Sequence, residues 1–306
     1  MKLSVVIVSY NVKELLLQCL ASLFAGFPQE QLQVIVVDND SKDGSLLAVK
    51  EKFPQVELVA NDFNNGFSGG NNQGLLLCKG EFILLLNPDT EIKPGALEKM
   101  IARLQEEKQP AILGPKLLNS DGTLQGSAWK LPGVWAMLAE ALFISKIFPS
   151  GQYAPEQFEK EFSPGFLSGA ALLFTKTTQG KTGTLDRALF WMEDVDYCLR
   201  VQEKGGRTIY FPQAEIIHHS GQSARKNYRI AISNQLLSKL KYFRKHSGIA
   251  ACVAASFFAF LQIILRIPVF LLLAPFGESY RARFTAYLYT LKKLITYIFA
   301  GDRRVT

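Results

Sequence analysis

Cysteine is scarce. The 306 residues hold four, Cys19, Cys78, Cys198 and Cys252, far apart and without paired spacing. That excludes a disulfide framework or a Cys-based zinc site and fits a reducing compartment. A secretory leader is not expected, because Met1-Lys2 runs straight into LSVVIVSY, too short for an h-region with a cleavage site. No G-x-G-x-x-G follows the first apolar run and no G-x-x-x-x-G-K-S/T occurs anywhere. A dinucleotide dehydrogenase and a P-loop enzyme therefore both fit poorly. Acidic residues are missing from 225–246, which hold seven basic ones.

That last gap explains the net charge of +7. Residues 1–224 carry 20 Lys+Arg against 25 Asp+Glu, so the excess of positive charge lies entirely in the C-terminal end. It flanks an apolar stretch on both sides, a distribution that suits an anionic membrane surface and not a nucleic-acid groove.

The N-terminal part alternates apolar runs with helical periodicity. LSVVIVSYN, QVIVVDNDS, VELVAN and EFILLLNPDTEI read as buried strands, each ending in a polar turn. VKELLLQCLASLFAG, SKDGSLLAVKEKF and KPGALEKMIARLQEE read as helices. Asn61–Gly74 reads as a polar, glycine-dense loop entering a helix at GLLLCKG. The pattern predicts an α/β fold with a doubly wound, mostly parallel sheet, whose polar turns gather along one edge and form a ligand crevice. Beyond it, AILGPKLLNSDGTLQGSAW predicts short strands about an Asp121-Gly122 turn. Leu131–Phe148 predicts a core or capping helix, with a wall around an acceptor as the other reading. SPGFLSGAALLFTK returns to a buried strand, and the small Gly169-Ala170 pair allows close approach to its backbone. MEDVDYCLRVQEK predicts a helix opening on Glu193, Asp194 and Asp196, with Asp196 and Arg200 spaced for an ion pair. TIYFPQAEIIHHSGQS delivers His218 and His219 from a strand.

The stretches VIVSYN, VVDNDSKDGS, NNGFSGGNNQG, LLLNPDTEI, LSGAALLF, MEDVDYCLR and HHSGQS, in this order over residues 3 to 223, resemble the family 2 glycosyltransferases. The closest likeness is to their rhamnosyltransferase-like, non-processive branch. The resemblance implies a GT-A type fold and an inverting, metal-dependent transfer of one sugar from a dTDP- or UDP-sugar to a saccharide, and the membrane-suited C-terminus suggests that this acceptor is lipid-linked. Base and ribose contacts are implied at Ser9, Tyr10, Asn11, Asp38 and Asn39, and further donor contacts at Gly66, Asn71, Asn87 and Asp89. Asp89 is the implied ligand for Mg²⁺ or Mn²⁺, although relatives with Asp-x-Asp have a carboxylate where this chain has Asn87. His218 fits H-x-x-G-x-S as a second metal or diphosphate contact, with His219 as the competing neighbour. Asp194 is the implied base and Glu193 the alternative. The Q-x-x-R-W of processive relatives is absent.

The expected organisation is a catalytic domain over 1–224 and a basic amphipathic and apolar helical region over 225–306. Ile249–Phe276 carries one charge, Arg266, and Arg266-Ile267-Pro268 interrupts it. That predicts an embedded or interfacial hairpin, with a single span or soluble packing as alternatives, at the cytoplasmic face of the cell membrane. The rival functions are a nucleotidyltransferase, which lacks its basic glycine loop here, and an inactive sugar-nucleotide-binding or scaffold protein.

Overall fold

The computed structural model describes residues 2–146, 151–219 and 228–300. The chain divides into two compact units. The first comprises Met1–Leu131, Tyr153–Arg187 and Glu193–Ser220. The second comprises Pro132–Gln152, Ala188–Met192 and Gly221–Thr306.

The first unit opens with β1 (Leu3–Ser9), α1 (Lys13–Gly26), β2 (Leu32–Asp38), α2 (Ser45–Lys52), β3 (Glu57–Ala60), α3 (Gly66–Leu77) and β4 (Phe82–Leu86), whose strands lie parallel in the order β3-β2-β1-β4. Strand alternation sorts the core into two layers. Leu3, Val5 and Ile7 of β1 join Leu16 and Leu20 of α1 on one face, while Val6 joins Leu75 of α3 on the other. The short β5 (Thr90–Ile92) and α4 (Ala96–Gln105) follow, then β6 (Ala111–Leu118) and β7 (Leu124–Gln125), an antiparallel pair closed by the expected turn at Asp121-Gly122. β8 (Ala128–Trp129) is the last strand before residue 131.

The sheet is more mixed than the apolar runs predict. β10 (Ala171–Thr175), which follows the two-residue β9 (Phe166–Leu167), inserts antiparallel between β4 and β6. β11 (Arg207–His218) runs parallel to β6 and antiparallel to β5. A fully buried strand reads as an apolar run whichever way its neighbour points, so periodicity cannot give this direction. α6 (Lys176–Thr182) and α7 (Glu193–Glu203) complete the unit.

The glycine-dense stretch is a second difference. It is helical from Gly66, and two of its glycines, Gly70 and Gly74, serve packing against β1. A Cβ on Gly70 would sit 2.8 Å from Val8 Cγ1, and one on Gly74 2.3 Å from Val6 Cγ1. Val6 is fully buried and β-branched, so it has little freedom to yield. Gly74→Ala should therefore destabilise the fold by about 1–3 kcal/mol. A lowered urea midpoint checks this, and an unchanged midpoint would show that α3 can move off the sheet at little cost.

The second unit contains α5 (Val134–Ala141), α8 (Tyr228–His246), α9 (Gly248–Leu273) and α10 (Glu278–Ala300). α9 runs unbroken through Pro268, so the expected interruption at Arg266-Ile267-Pro268 does not occur. Arg266 instead closes the end of α5: its Nη2 donates to the Glu140 carbonyl at 2.7 Å and its guanidinium lies over the Phe143 ring at 4.4 Å. A cation at a helix C-terminus meets the unpaired carbonyls there. Lys239 pairs with the Glu140 carboxylate at 2.8 Å.

Candidate active site

The first wall of the site is the edge where β1 and β2 end side by side, Ser9 opposite Asp38. Asn11 adopts φ 53°, a left-handed conformation that asparagine tolerates. Its N–H donates to Ser41 Oγ at 2.9 Å and its Oδ1 accepts from the Lys42 N–H at 2.7 Å, which laces the two turns together. Ser9 Oγ and Asp38 Oδ2 are buried without a hydrogen-bond partner. Unpaired buried polar atoms are rare, and two at one sheet edge mark a place where a ligand's polar groups are met. The Tyr10 ring beside them is 48% exposed.

Asn39 behaves differently from its neighbours. It is buried, its Nδ2 donates to the Gly66 carbonyl at 3.1 Å and its Oδ1 accepts from Asn61 Nδ2 at 3.0 Å. Both ends of the amide point into the protein, bracing β2 against the start of α3. Gly66 has φ 71°, and Asn71 is buried with its Nδ2 donating to the Phe67 carbonyl.

The second wall is the turn after β4. Thr90 Oγ1 donates to the Asn87 carbonyl at 2.8 Å, and Cys19 lies beneath, its thiol pushed up to about 12 by burial. All four cysteines are buried and unpaired. The β5–β11 register sets Thr90 opposite His218, which brings His218 Nε2 to 3.2 Å from Asp89 Oδ1 and 3.4 Å from Asn87 Nδ2.

Gln125 fixes the tautomer of His218. Its Nε2 donates to Asn119 Oδ1 at 2.9 Å and to the His218 carbonyl at 3.1 Å, so its Oε1 is the atom 2.7 Å from His218 Nδ1. An amide oxygen there accepts from Nδ1–H, which in the neutral ring puts the lone pair on Nε2, turned toward Asp89. A lone pair and a carboxylate at 3.2 Å form an acceptor pair that a cation would bind. One oxygen and one imidazole nitrogen suit Mn²⁺, and the carboxylate suits Mg²⁺. Among the described residues no group of three or more His, Cys, Asp or Glu side chains is placed to hold a metal. An ion held here would need further oxygen ligands from outside these two side chains.

His219 faces elsewhere. Its Nε2 lies 2.6 Å from Glu91 Oε1 and its Nδ1 2.7 Å from Ser120 Oγ. Both ring nitrogens are therefore engaged, one by β5 and the other by the turn between β6 and β7. The remainder of the H-x-x-G-x-S stretch, from Ser220, lies outside the described residues.

The third wall is the start of α7. Asp194 Oδ2 accepts from the Gly169 N–H at 3.0 Å and its Oδ1 from the Val195 N–H at 2.8 Å. A Cβ on Gly169 would meet Asp194 Cβ at 3.6 Å, an ordinary contact, so it is the Gly169 N–H and not the absence of a side chain that seats the carboxylate. Asp194 keeps part of its surface open to solvent. The surrounding protein nonetheless removes enough water to push its pKa to about 6, with the backbone N–H groups opposing that rise. Glu193 is buried. Asp196 pairs with Arg200 at 2.8 Å, as the helical spacing predicts.

Backbone contacts join the walls. Gly169 binds Asp194, the adjacent Ala170 carbonyl accepts from the Asn87 N–H at 2.9 Å, and Asn87 reaches His218, which faces Asp89. Asp89, His218 and Asp194 therefore gather at the C-terminal end of β4. Gln125 was not singled out from the sequence. Its hairpin was legible, but nothing in the local pattern says that the second strand touches a histidine 93 residues away.

Three comparisons agree with this arrangement. Residues 4–164 match the family model described as glycosyl transferase family 2. The chain is 29% identical over 243 residues to the N-acetylglucosaminyl-diphospho-decaprenol L-rhamnosyltransferase of Mycobacterium tuberculosis, covering 74% of this chain and 78% of that one. A mannosyltransferase from Pyrobaculum calidifontis, solved with GDP-Man and Mn²⁺, superposes with TM-score 0.59 at 16% identity over 98% of this chain and 88% of its own. GalNAc-T7, solved with UDP, GalNAc and Mn²⁺, gives TM-score 0.56 at 13% identity over 81% and 50%. The two structures speak for the fold, and the family model spans more than half of the sequence: the chain belongs to glycosyl transferase family 2 and is a glycosyltransferase of GT-A architecture.

Proposed function

We propose that this enzyme transfers one sugar, rhamnose or another hexose, from a dTDP- or UDP-sugar to a lipid-linked saccharide in surface polysaccharide synthesis, with inversion at the anomeric carbon. The observation that carries this reading is the Asp89–His218 acceptor pair joined through Asn87 and Ala170–Gly169 to the carboxylate of Asp194. The mycobacterial relative, named for rhamnosyl transfer to a diphospho-decaprenol carrier, supports the donor and acceptor classes.

Each residue then has a role. Tyr10 offers an exposed ring face to the base. Ser9 and Asp38 supply the unpaired hydroxyl and carboxylate oxygen to base and ribose. Asn11 shapes this turn, while Asn39, Gly66 and Asn71 position it from behind. Asp89 and His218 would hold Mg²⁺ or Mn²⁺, and Gln125 keeps the Nε2 lone pair available. When bound, the ion supplies positive charge to the diphosphate leaving group. Asp194 removes the proton from the acceptor hydroxyl as that oxygen attacks the anomeric carbon; the bond to the diphosphate oxygen breaks on the opposite face. Glu193, being buried, is the weaker candidate for this step.

We assign residues 1–224 to catalysis and 225–306 to association with the cytoplasmic face of the membrane. Among the described residues one helix, Gly248–Phe276, is long and apolar enough to cross a bilayer. Ile249, Val253, Phe257, Phe260 and Ile264 form an exposed apolar stripe at helical spacing beside a buried one of Cys252, Ala255, Ala259 and Ile263, and a membrane position would cover the exposed stripe.

Release of nucleoside diphosphate from a panel of dTDP-, UDP- and GDP-sugars, with Mn²⁺ and after chelation, tests the proposal. Turnover of a dTDP- or UDP-sugar that stops on chelation and returns with Mn²⁺ is the expected result. Full turnover in chelator would remove the metal role from Asp89 and His218.

A further inference from the structure

A groove of about 560 Å³ opens between α8 and α10 in the second unit. Arg229, Lys292 and Lys293 line it together with Tyr289 and Leu288, and among the described residues no lining residue is acidic. The Arg229 guanidinium lies 4.8 Å from the centre of the Tyr289 ring and Lys293 Nζ 5.9 Å from it. The ring's negative face favours each cation. Together with Lys292 they give the groove a cationic lining that complements an anion. α8 contains no Asp or Glu, and the one acid of α10, Glu278, stands at its far end.

The surroundings decide which anion. Leu288, Lys292, Ile295 and Phe299 succeed one another at spacings of four, three and four along α10, so they share one helix face. The three apolar members are exposed, Phe299 by 85%. A cation within an exposed apolar stripe, beside a cationic groove, matches an amphiphile: phosphate in the groove, hydrocarbon along the stripe. A soluble phosphate would use only the first half of this surface.

We propose that the groove between α8 and α10 binds the phosphate of an anionic phospholipid headgroup, with an acyl chain running along Ile295 and Phe299. This rests on the membrane association assigned above and adds a defined, saturable lipid site to it. The site would fix how the helical unit is seated on the bilayer, because one lipid held at a set point constrains rotation about α10.

The test uses the full chain and two measurements. Pelleting with vesicles rich in phosphatidylglycerol, compared with phosphatidylcholine alone, reports membrane association itself. Calorimetric titration with monomeric short-chain phosphatidylglycerol reports the groove. Wild-type protein should pellet with the anionic vesicles and bind the monomeric lipid at one saturable site. The variant R229Q/K292Q/K293Q should weaken that binding on the order of 100-fold, from roughly fivefold for each cation. The equally charged variant K241Q/R244Q/K245Q should keep it. Inorganic phosphate should not displace the lipid. Equal losses in the two variants would mean diffuse attraction and no site, and displacement by inorganic phosphate would give the groove to a soluble anion. Pelleting without saturable binding would overturn the groove alone, whereas failure to pellet on any vesicle would remove the membrane reading as well.

Discussion

Replacing Asp194 by asparagine should lower sugar transfer by about 10²–10⁴-fold and leave donor affinity unchanged. The amide keeps the shape of the carboxylate and one of its acceptors, but it cannot take up the acceptor's proton. Because Asp194 is bound through the Gly169 and Val195 N–H groups and not through the Asp89–His218 pair, donor binding should not feel the change. The pH profile carries the same claim. With a pKa pushed to about 6 by burial, the carboxylate is mostly ionised at neutral pH and loses base function below 6. The wild-type log kcat/KM should fall with unit slope below about pH 6, and the residual activity of D194N should lack that limb. Near-normal turnover in D194N, or an acid limb that survives it, would exclude Asp194 as the base.

Stability should move in the opposite direction. The folded-state pKa of Asp194 lies above the ordinary 3.8, so protonation favours the folded protein. That contribution is full below pH 3.8 and is lost as pH rises through about 6. The loss at neutral pH is at most about 3 kcal/mol. Asparagine escapes it, but its single oxygen serves only one of the two N–H groups, which returns about 1 kcal/mol. D194N should therefore melt higher than wild type at pH 8 and lose that advantage at pH 4. A gain in stability paired with a loss of turnover is what a desolvated catalytic base produces and what a structural carboxylate does not.

Removing the His218 imidazole produces the second large effect. H218A should weaken Mn²⁺ binding by more than about 10²-fold and lower transfer by a similar factor, since it deletes one of two protein donors. Q125L leaves the ring but frees its tautomer, and should cost about 10–100-fold in Mn²⁺ affinity. H219Q is the control. His219 is engaged with Glu91 and Ser120, so its loss should lower thermal stability and spare Mn²⁺ affinity. Mn²⁺ titration followed by electron paramagnetic resonance separates the three variants. Equal weakening in H218A and H219Q would reject the assignment.

The contrast between these two histidines shows where local pattern stops being informative. Neighbours on a strand point to opposite faces, so one of them had to face the crevice. Which one depends on the register of β11 against β5, a pairing between segments more than 120 residues apart. Gln125 was invisible for the same reason. The glycines of α3 gave a compositional signal that was real but misread: they record the closeness of a strand beneath, a distance no sequence window contains.

The chain by itself determined the alternation of strand and helix, the polar turns at Ser9–Asn11, Asp38–Asn39 and Asn87–Asp89, the Asp196–Arg200 pair and the cationic ends of an apolar helix. All of these follow from periodicity, capping and charge within a few residues. Only the tertiary structure decided the antiparallel insertion of β10, the continuity of α9 past Pro268, the inward turn of Asn39 and the tautomer of His218. Each of those depends on which distant backbone or side chain completes a hydrogen bond or fills a contact, and long-range partners leave no local trace in the sequence.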